Sequence, residues 1–333
     1  MDGSVFFRHR NLATAKSSDI HENQTKMSNP NTPLEPPRKL GRLCRMRALK
    51  PSDIPRHGDL GPALQNTGRR TPDLQAFIAE ALEEANAFMT GYLPRNFDVK
   101  SNAKPSPPST APVELLSREV KSGEINAVAA NIPAGRTAET WFARSSIHEN
   151  AAKDGTMSWE EFDSGTRSDH SLHEAEYTPD VIDAHQVLSW DDQLEEQCQR
   201  IIGTWQDVGM AIFEMVHHIP PPLNDRVFNV IVLTAKHGSG NESLVVQIPV
   251  ETGGMPRAKY SGGKGNVTEG MYTSIERGEL LDDGAKLKWQ MATASDAKGV
   301  LPMWAQKMGV PGAVVKDVGL FVKWCAERRA GQA

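Results

Sequence analysis

The sequence predicts an α+β fold, a curved antiparallel sheet wrapped around a long C-terminal helix. Two observations carry that expectation. Between Val208 and Thr293, five segments read as strands whose connections are too short for crossover helices, which makes neighbouring strands antiparallel. After them, Val314, Val315, Val318, Phe321, Val322 and Cys325 form an apolar stripe at helical spacing, long enough to lie across a sheet. An antiparallel sheet needs its apolar face covered, and one helix on a curved sheet leaves an interior that side chains need not fill. This is a helix-grip arrangement in two layers.

Each element has its own signal. Val208–His217 alternates Met210, Ile212 and Val216 with Ala211, Phe213 and Met215. Arg226–Ala235 is a near-continuous apolar run, and Leu244–Val250 places Leu244, Val246, Ile248 and Val250 on one face. The turns are Pro220-Pro221-Pro222-Leu223-Asn224-Asp225 and His237-Gly238-Ser239-Gly240-Asn241. Gly270–Arg277 and Leu287–Thr293 complete the set, the last pointing Leu287, Trp289 and Met291 one way. Lys316, Asp317, Lys323 and Glu327 fall largely off the apolar stripe of the final helix. Upstream, Thr71 as N-cap and Pro72 as first residue predict a helix that runs to Met89 and ends by Pro94. Ser158 and Glu161 form a capping-box pattern before a short helix, and Asp169–Glu176 reads as a further helical turn.

The chain has 333 residues, 38% hydrophobic and 24% charged, with 22 Pro and 27 Gly. Its mean hydropathy of -0.47 leaves too little apolar surface to order the whole length. The expected organisation is a disordered tail over 1–37, a basic arm plus helix over 38–94, a Pro-rich linker over 95–138 and the helix-grip domain over 139–330. All seven tryptophans lie from Trp141 onward. The first sixty residues hold eleven Lys/Arg against six Asp/Glu, whereas the whole chain carries a formal charge of -5. The dense basic stretch Arg38–Arg47, interleaved with Leu40, Leu43 and Met46, is expected to dock on the acidic body, with transient contact to a membrane surface as the other reading. The net charge argues against nucleic acid as a partner, and no apolar run is long enough for a membrane span. Cys44, Cys198 and Cys325 are too scattered for a disulfide framework or a zinc site. Val5-Phe6-Phe7 is cut short by Arg8, His9 and Arg10, so no secretory signal is expected and a cytoplasmic monomer is the default.

Several stretches resemble a known family. Ser295-Asp296-Ala297-Lys298-Gly299-Val300-Leu301-Pro302-Met303-Trp304 and the helix after it are similar to the end of START-like domains. Trp141-x-x-Arg144-Ser145-Ser146-x-His148, Tyr177-Thr178-Pro179, Glu214-Met215-Val216-His217, Arg226-Val227-Phe228, Gln247-Ile248-Pro249-Val250 and Tyr272-Thr273-Ser274-Ile275-Glu276-Arg277 resemble a fungal START-like family of unknown function. The likeness covers about residues 139–327, with a weaker echo in Leu49–Pro55. Such domains are grouped with lipid-transfer, polyketide-cyclase and Bet v 1-like proteins, which implies a hydrophobic cavity. Lys298 departs from the pattern, standing where many START-like chains have a second glycine.

A cavity needs apolar walls, a few orienting polar groups and an entrance. The expected walls are Ile212, Val230, Val232, Val246, Ile248, Trp289, Met291, Val318 and Phe321. Glu214, Arg226 and Tyr272 are the polar candidates, with Glu214 expected inside and paired to Arg226 or His217. The entrance is expected beneath the final helix, with Gly309, Pro311 and Gly312 as hinge. His170-x-x-His173-Glu174 lacks the spacing of a zinc motif and reads as solvated helix surface. Ser261-Gly262-Gly263-Lys264-Gly265 fails the phosphate-loop pattern and reads as a hairpin loop, and no GxSxG elbow occurs. No cofactor is expected. The reading is a protein that binds, and in one version transfers, a lipid or other hydrophobic small molecule. The alternatives are a cyclase or hydrolase using Glu214, His217 or Tyr272, and a non-catalytic interaction module with a solid core.

Overall fold

The computed structural model describes residues 40–65, 68, 70–128, 138–298 and 303–332, all within one unit spanning Pro36–Ala333. The tail expected over 1–37 lies outside these residues. In chain order the helices are α1 (Pro62–Gln65), α2 (Leu74–Ala87), α3 (Leu93–Asn96), α4 (Ser122–Val128), α5 (Trp159–Arg167), α6 (His170–Tyr177), α7 (Asp191–Cys198) and α8 (Met303–Gln332). The strands are β1 (Asp98–Lys104), β2 (Val113–Val120), β3 (Glu139–Glu149), β4 (Val181–Ser189), β5 (Trp205–His217), β6 (Arg226–His237), β7 (Glu242–Pro249), β8 (Thr268–Glu269), β9 (Met271–Leu281) and β10 (Lys286–Asp296). They form one sheet in the order β1-β2-β3-β10-β9-β7-β6-β5-β4, antiparallel at every step, with β8 added parallel to β6.

All five expected strands are present, as β5, β6, β7, β9 and β10. The described part of the stretch expected as a linker contains two strands. Residues 98–104 and 113–120 form an antiparallel pair that continues into β3. The prolines are concentrated in the loop between β1 and β2, where no ladder bonds are needed. Strand β1 escaped notice because it is an edge strand, exposed along nearly all its length, and carries no apolar alternation.

Both faces of the sheet are covered. On one face α2 and the arm before it pack through Leu43, Phe77, Ile78 and Leu82 against Trp141, Met210, Ile212, Ile231, Leu233, Val246 and Ile248. On the other, α5 and α8 pack through Trp159, Phe162, Val318 and Phe321 against Val113, Leu287 and Trp289. The third layer corrects the expected two-layer arrangement. Helix α2 is capped by Asp73, whose side chain accepts the Ala76 N–H, so the expected cap at Thr71 falls two residues early. The helical path then continues through a π-turn at Phe88–Tyr92 into α3, carrying Pro94 in its first turn, where no N–H is required. At Ser158 the capping box forms as expected, with Ser158 and Glu161 bonding each other's backbone N–H.

The basic arm docks on the body. The Glu84 carboxylate accepts N–H bonds from Arg42 (2.8 Å), Leu43 (2.9 Å) and Cys44 (2.6 Å), and the Arg42 guanidinium pairs with Glu80. Arg45 is buried and holds Glu139 through Nε (2.9 Å) and Nη2 (3.2 Å), with Trp141 Nε1 donating to the same carboxylate at 3.1 Å. Near the end of the sheet Lys298 takes a left-handed conformation (φ 53°), with its N–H donating to Asp296 Oδ1 at 2.9 Å. That backbone position favours glycine, and the Asp296 contact holds a lysine there.

Candidate functional site

Because side chains alternate along a strand, register decides which residues reach the interior. Arg144, Met291 and Glu276 are directly opposed across β3, β10 and β9. They therefore share one face, the one that α8 covers. Trp289 and Thr293 flank Met291 on β10, Tyr272 and Ser274 continue the row on β9, and Val245 and Gln247 face inward from β7. Between this face and helices α6 and α8 lies a cavity of about 370 Å³. Met215, Phe228, Val245, Met291, Val310 and Leu320 give it apolar walls, and Arg144, Glu276, Gln247, His170, Glu174 and Asp317 give it a polar side. Exposed residues Asp180, His218, Ala313 and Lys316 are among its lining, so it opens to solvent between the first turns of α8 and the loops after α6 and β5.

The polar side is a connected cluster. Arg144 Nη2 donates to Glu276 Oε1 at 3.0 Å, and its guanidinium carbon lies 3.9 Å from the centre of the Trp289 ring. Trp289 Nε1 donates to the same Glu276 oxygen at 2.7 Å. His170 Nδ1 lies 2.6 Å from the Thr166 carbonyl, so it carries the proton; its Nε2 receives the Gln247 amide at 3.1 Å. Burial holds His170 below the ordinary histidine range, which fits this neutral form. Burial pushes Glu174 up to about 7, helped by the nearby negative charge of Glu276. Asp317 is also raised to about 7, again chiefly by burial. His217 at the outer end of β5 is lowered to about 4 by burial. The Tyr177 and Tyr272 hydroxyls are raised above their ordinary value for the same reason.

Of the twelve site residues named from sequence, Tyr272, Trp289 and Met291 line this cavity. Val230 and Val232 lie on the same face within the cluster around Phe213 and Met215. Val318 and Phe321 pack beneath α8 against Trp289 and Phe162, in solid core next to the cavity. Ile212, Val246 and Ile248 belong to the opposite face, under α2. Glu214 is there too, and its partners are neither Arg226 nor His217. It accepts the Lys259 N–H at 2.7 Å, the Tyr260 N–H at 3.2 Å and the Thr252 hydroxyl at 3.3 Å, and so anchors the loop after β7. Arg226 is buried at the start of β6, where it braces the backbone carbonyls of Ala297 (2.6 Å) and Asn224. The physical reason is the third layer: both faces of β5 and β7 are buried, and in β7 the uniformly apolar parity of Leu244, Val246 and Ile248 packs under α2 while Ser243, Val245 and Gln247 look inward, so alternation does not say which face borders the cavity.

Sequence reasoning passed over Arg144, Glu276, Gln247, Glu174 and Asp317 as site residues. His170 and Glu174, read as solvated surface, instead form the wall that α6 presents to the cavity. Asp317, placed off the apolar stripe of α8, lines the cavity because the helix borders empty space there rather than packed side chains. A signal did exist. Arg144, Tyr177, Gln247, Tyr272 and Glu276 all belong to the stretches that carried the family resemblance. Among the described residues no group of three or more His, Cys, Asp and Glu is placed to hold a metal.

The fold is that of START domains. Human STARD10 superposes with a TM-score of 0.50 at 11% identity, covering 79% of this chain and 83% of that one. Human StAR-related lipid transfer protein 5 covers 98% of its own length and 77% of this chain, at 13% identity and a TM-score of 0.49. No curated protein matches the chain. Residues 141–325, more than half of the sequence, match the family described as "Protein of unknown function (DUF3074)", and the chain belongs to that family.

Proposed function

We propose that this protein binds a hydrophobic small molecule, of lipid or comparable character, in the cavity between the inner face of the sheet and α8. The observation that carries the reading is that cavity of about 370 Å³ inside a START fold, apolar along most of its wall and polar at one side. Burying a ligand's apolar surface contributes about 25 cal/mol per Å², so several kcal/mol are available without any catalytic step. The ligand would enter between the first turns of α8 and the loops at Asp180 and His218. Gly309 and Pro311 lie in that part of the helix, and Pro311 lacks the N–H that would bind it to the preceding turn. Transfer between membranes would be the same exchange performed at a lipid surface. Among the described residues no helix is long and apolar enough to cross a membrane.

Native mass spectrometry of the full chain purified from its own host tests the reading. A co-purified hydrophobic compound is expected, and it should be lost when Ala313→Trp narrows the mouth or Met291→Trp fills the interior. An empty protein that also takes up nothing from a total lipid extract would overturn it. An enzyme on the same frame would rely on Glu174 and Asp317, which titrate near neutrality inside the cavity, rather than on Glu214. Chemical conversion of the bound compound would mark that case.

A further inference from the structure

The polar side of the cavity is not balanced in charge. Arg144 is paired with Glu276 at 3.0 Å. His170 lies 3.6 Å from Glu174, but its Nδ1 proton is committed to the Thr166 carbonyl and its Nε2 lone pair to the Gln247 amide, so it brings no positive charge. Glu174 from α6 and Asp317 from α8 therefore face one enclosed space from two walls. Among the described residues neither has a Lys or Arg within ion-pair distance. Lys316 stands beside Asp317 at the exposed rim. A second feature is independent of these carboxyls. Arg144 is 2% exposed and lines the cavity, yet its Nε and Nη1 have no hydrogen-bond partner. Buried polar groups are rarely left so, because each unmet donor forfeits the hydrogen bond it makes with water.

Resting on the reading that the cavity binds an apolar body, we infer that its ligand is an amphiphile whose polar end carries a basic amine and an oxygen acceptor. The ammonium sits between Glu174 and Asp317, the oxygen meets Arg144, and the apolar part runs along Met215, Phe228, Val245 and Met291. An anionic head would meet Glu174, Asp317 and Glu276 together and be repelled. A neutral head would leave two half-buried carboxyls without a counter-charge. Burial and the neighbouring negative charge of Glu276 raise both carboxyls to near 7, and for Asp317 the opposing fields of Arg144 and Lys316 do not offset this. An ammonium is the group that reverses it.

Three probes with the same decanoyl chain and amide oxygen separate the possibilities: monodecanoyl ethylenediamine, its N-acetyl derivative and decanoylglycine. Their binding to the full chain is measured by calorimetry at pH 8, where the carboxyls are largely ionised and the free amine remains largely protonated. The amine is expected to bind about tenfold or more tighter than the N-acetyl compound, a typical margin for a charge-assisted contact, with decanoylglycine weakest. In the double variant Glu174→Gln and Asp317→Asn, folded by circular dichroism, that ratio should fall to within about twofold. Each single variant should lower it severalfold, so a misfolded double variant leaves the test intact. The exposed change Glu327→Gln should preserve it. An amine that binds no better than its N-acetyl form, or a preference that survives in the variants, overturns the inference while leaving the cavity reading in place. Failure of all three probes to bind would remove both.

Discussion

The hydroxyl of Ser106 is built into helix α8 at Gly319. Its Oγ donates to the Val315 carbonyl at 2.6 Å and accepts the Gly319 N–H at 2.8 Å, so it stands between two backbone groups that a regular helical turn joins directly. The approach is close enough to require glycine, since a Cβ at position 319 would lie 2.4 Å from the Pro107 carbonyl oxygen. The proline-bearing loop between β1 and β2 thus grips α8 beside Val314 and Asp317, two residues that line the cavity.

This contact predicts a stability loss of about 1–3 kcal/mol for Ser106→Ala, because the change removes a buried donor and acceptor at once. Gly319→Ala should cost at least as much, since the clashing atoms are backbone and cannot turn aside. Urea midpoints measure both. Amide exchange along Val315–Gly319 should accelerate in Ser106→Ala; unchanged midpoints and exchange would show that the loop does not clamp the helix.

Glu214 is a structural anchor. Glu214→Ala should lower stability by roughly 2–4 kcal/mol, because it strands the N–H groups of Lys259 and Tyr260 together with the Thr252 hydroxyl. Ligand affinity of the folded fraction should stay within about twofold, since the side chain lies on the opposite face of the sheet from the cavity. A large loss of affinity at unchanged stability would contradict this placement.

The pH dependence follows from the direction of each shift. Glu174 rises from 4.5 to about 7 on folding, so between those values the unfolded chain has released a proton that the native chain keeps. This group therefore lowers stability progressively as pH rises across that window, and by a constant amount above it. Glu174→Gln removes the effect. The variant should be more stable than the parent by on the order of 1–2 kcal/mol at pH 8 and equal to it near pH 4. His217 acts in the other direction: its value falls from 6.5 to about 4, so stability is lost as pH drops through that interval. His217→Phe should flatten the acid limb. Thermal unfolding across pH 4–8 reads both slopes, and parallel curves for parent and variants would refute the assignments.

At the arm, Arg45 and Glu139 form a buried pair, each side chain 5% exposed. Glu139→Ala leaves the guanidinium and the Trp141 N–H without their acceptor, and a loss of about 3–5 kcal/mol is expected. Arg45→Met with Glu139→Leu, which removes both charges, should recover much of it. Chemical denaturation of the two variants distinguishes an arm that belongs to the core from one that is only laid on the surface.

Legibility along the chain followed the strength of local pattern. Strands β5, β6, β7, β9 and β10 and the helices α2 and α8 are legible because apolar residues repeat there at periods of two or near four, and α5 is legible through its capping box. Strand β3 is not, because its inward positions are Arg144, Ser146 and His148, polar residues serving an interior that is polar on that side. Strands β1 and β4 were missed as sheet edges, where exposure removes the alternation. Trp289 and Met291 line the cavity because only one parity of β10 is large and apolar, the other including small residues such as Ala292 and Ala294 under α2.

The sequence alone therefore determined the fold class, the sheet's antiparallel pairing and the terminal helix, all of which follow from short-range periodicity and turn chemistry. The identity of the inward face was decided only in three dimensions. In β5 and β7 both sets of alternating residues are buried, and the docking of α2 on one face leaves the other to border the cavity. The pairing of charges was decided there as well: Arg144 meets Glu276 across β10, 132 positions away in sequence, while Glu174 and Asp317 converge from separate helices. Contacts between residues so far apart depend on strand order and register, which no local window of sequence contains.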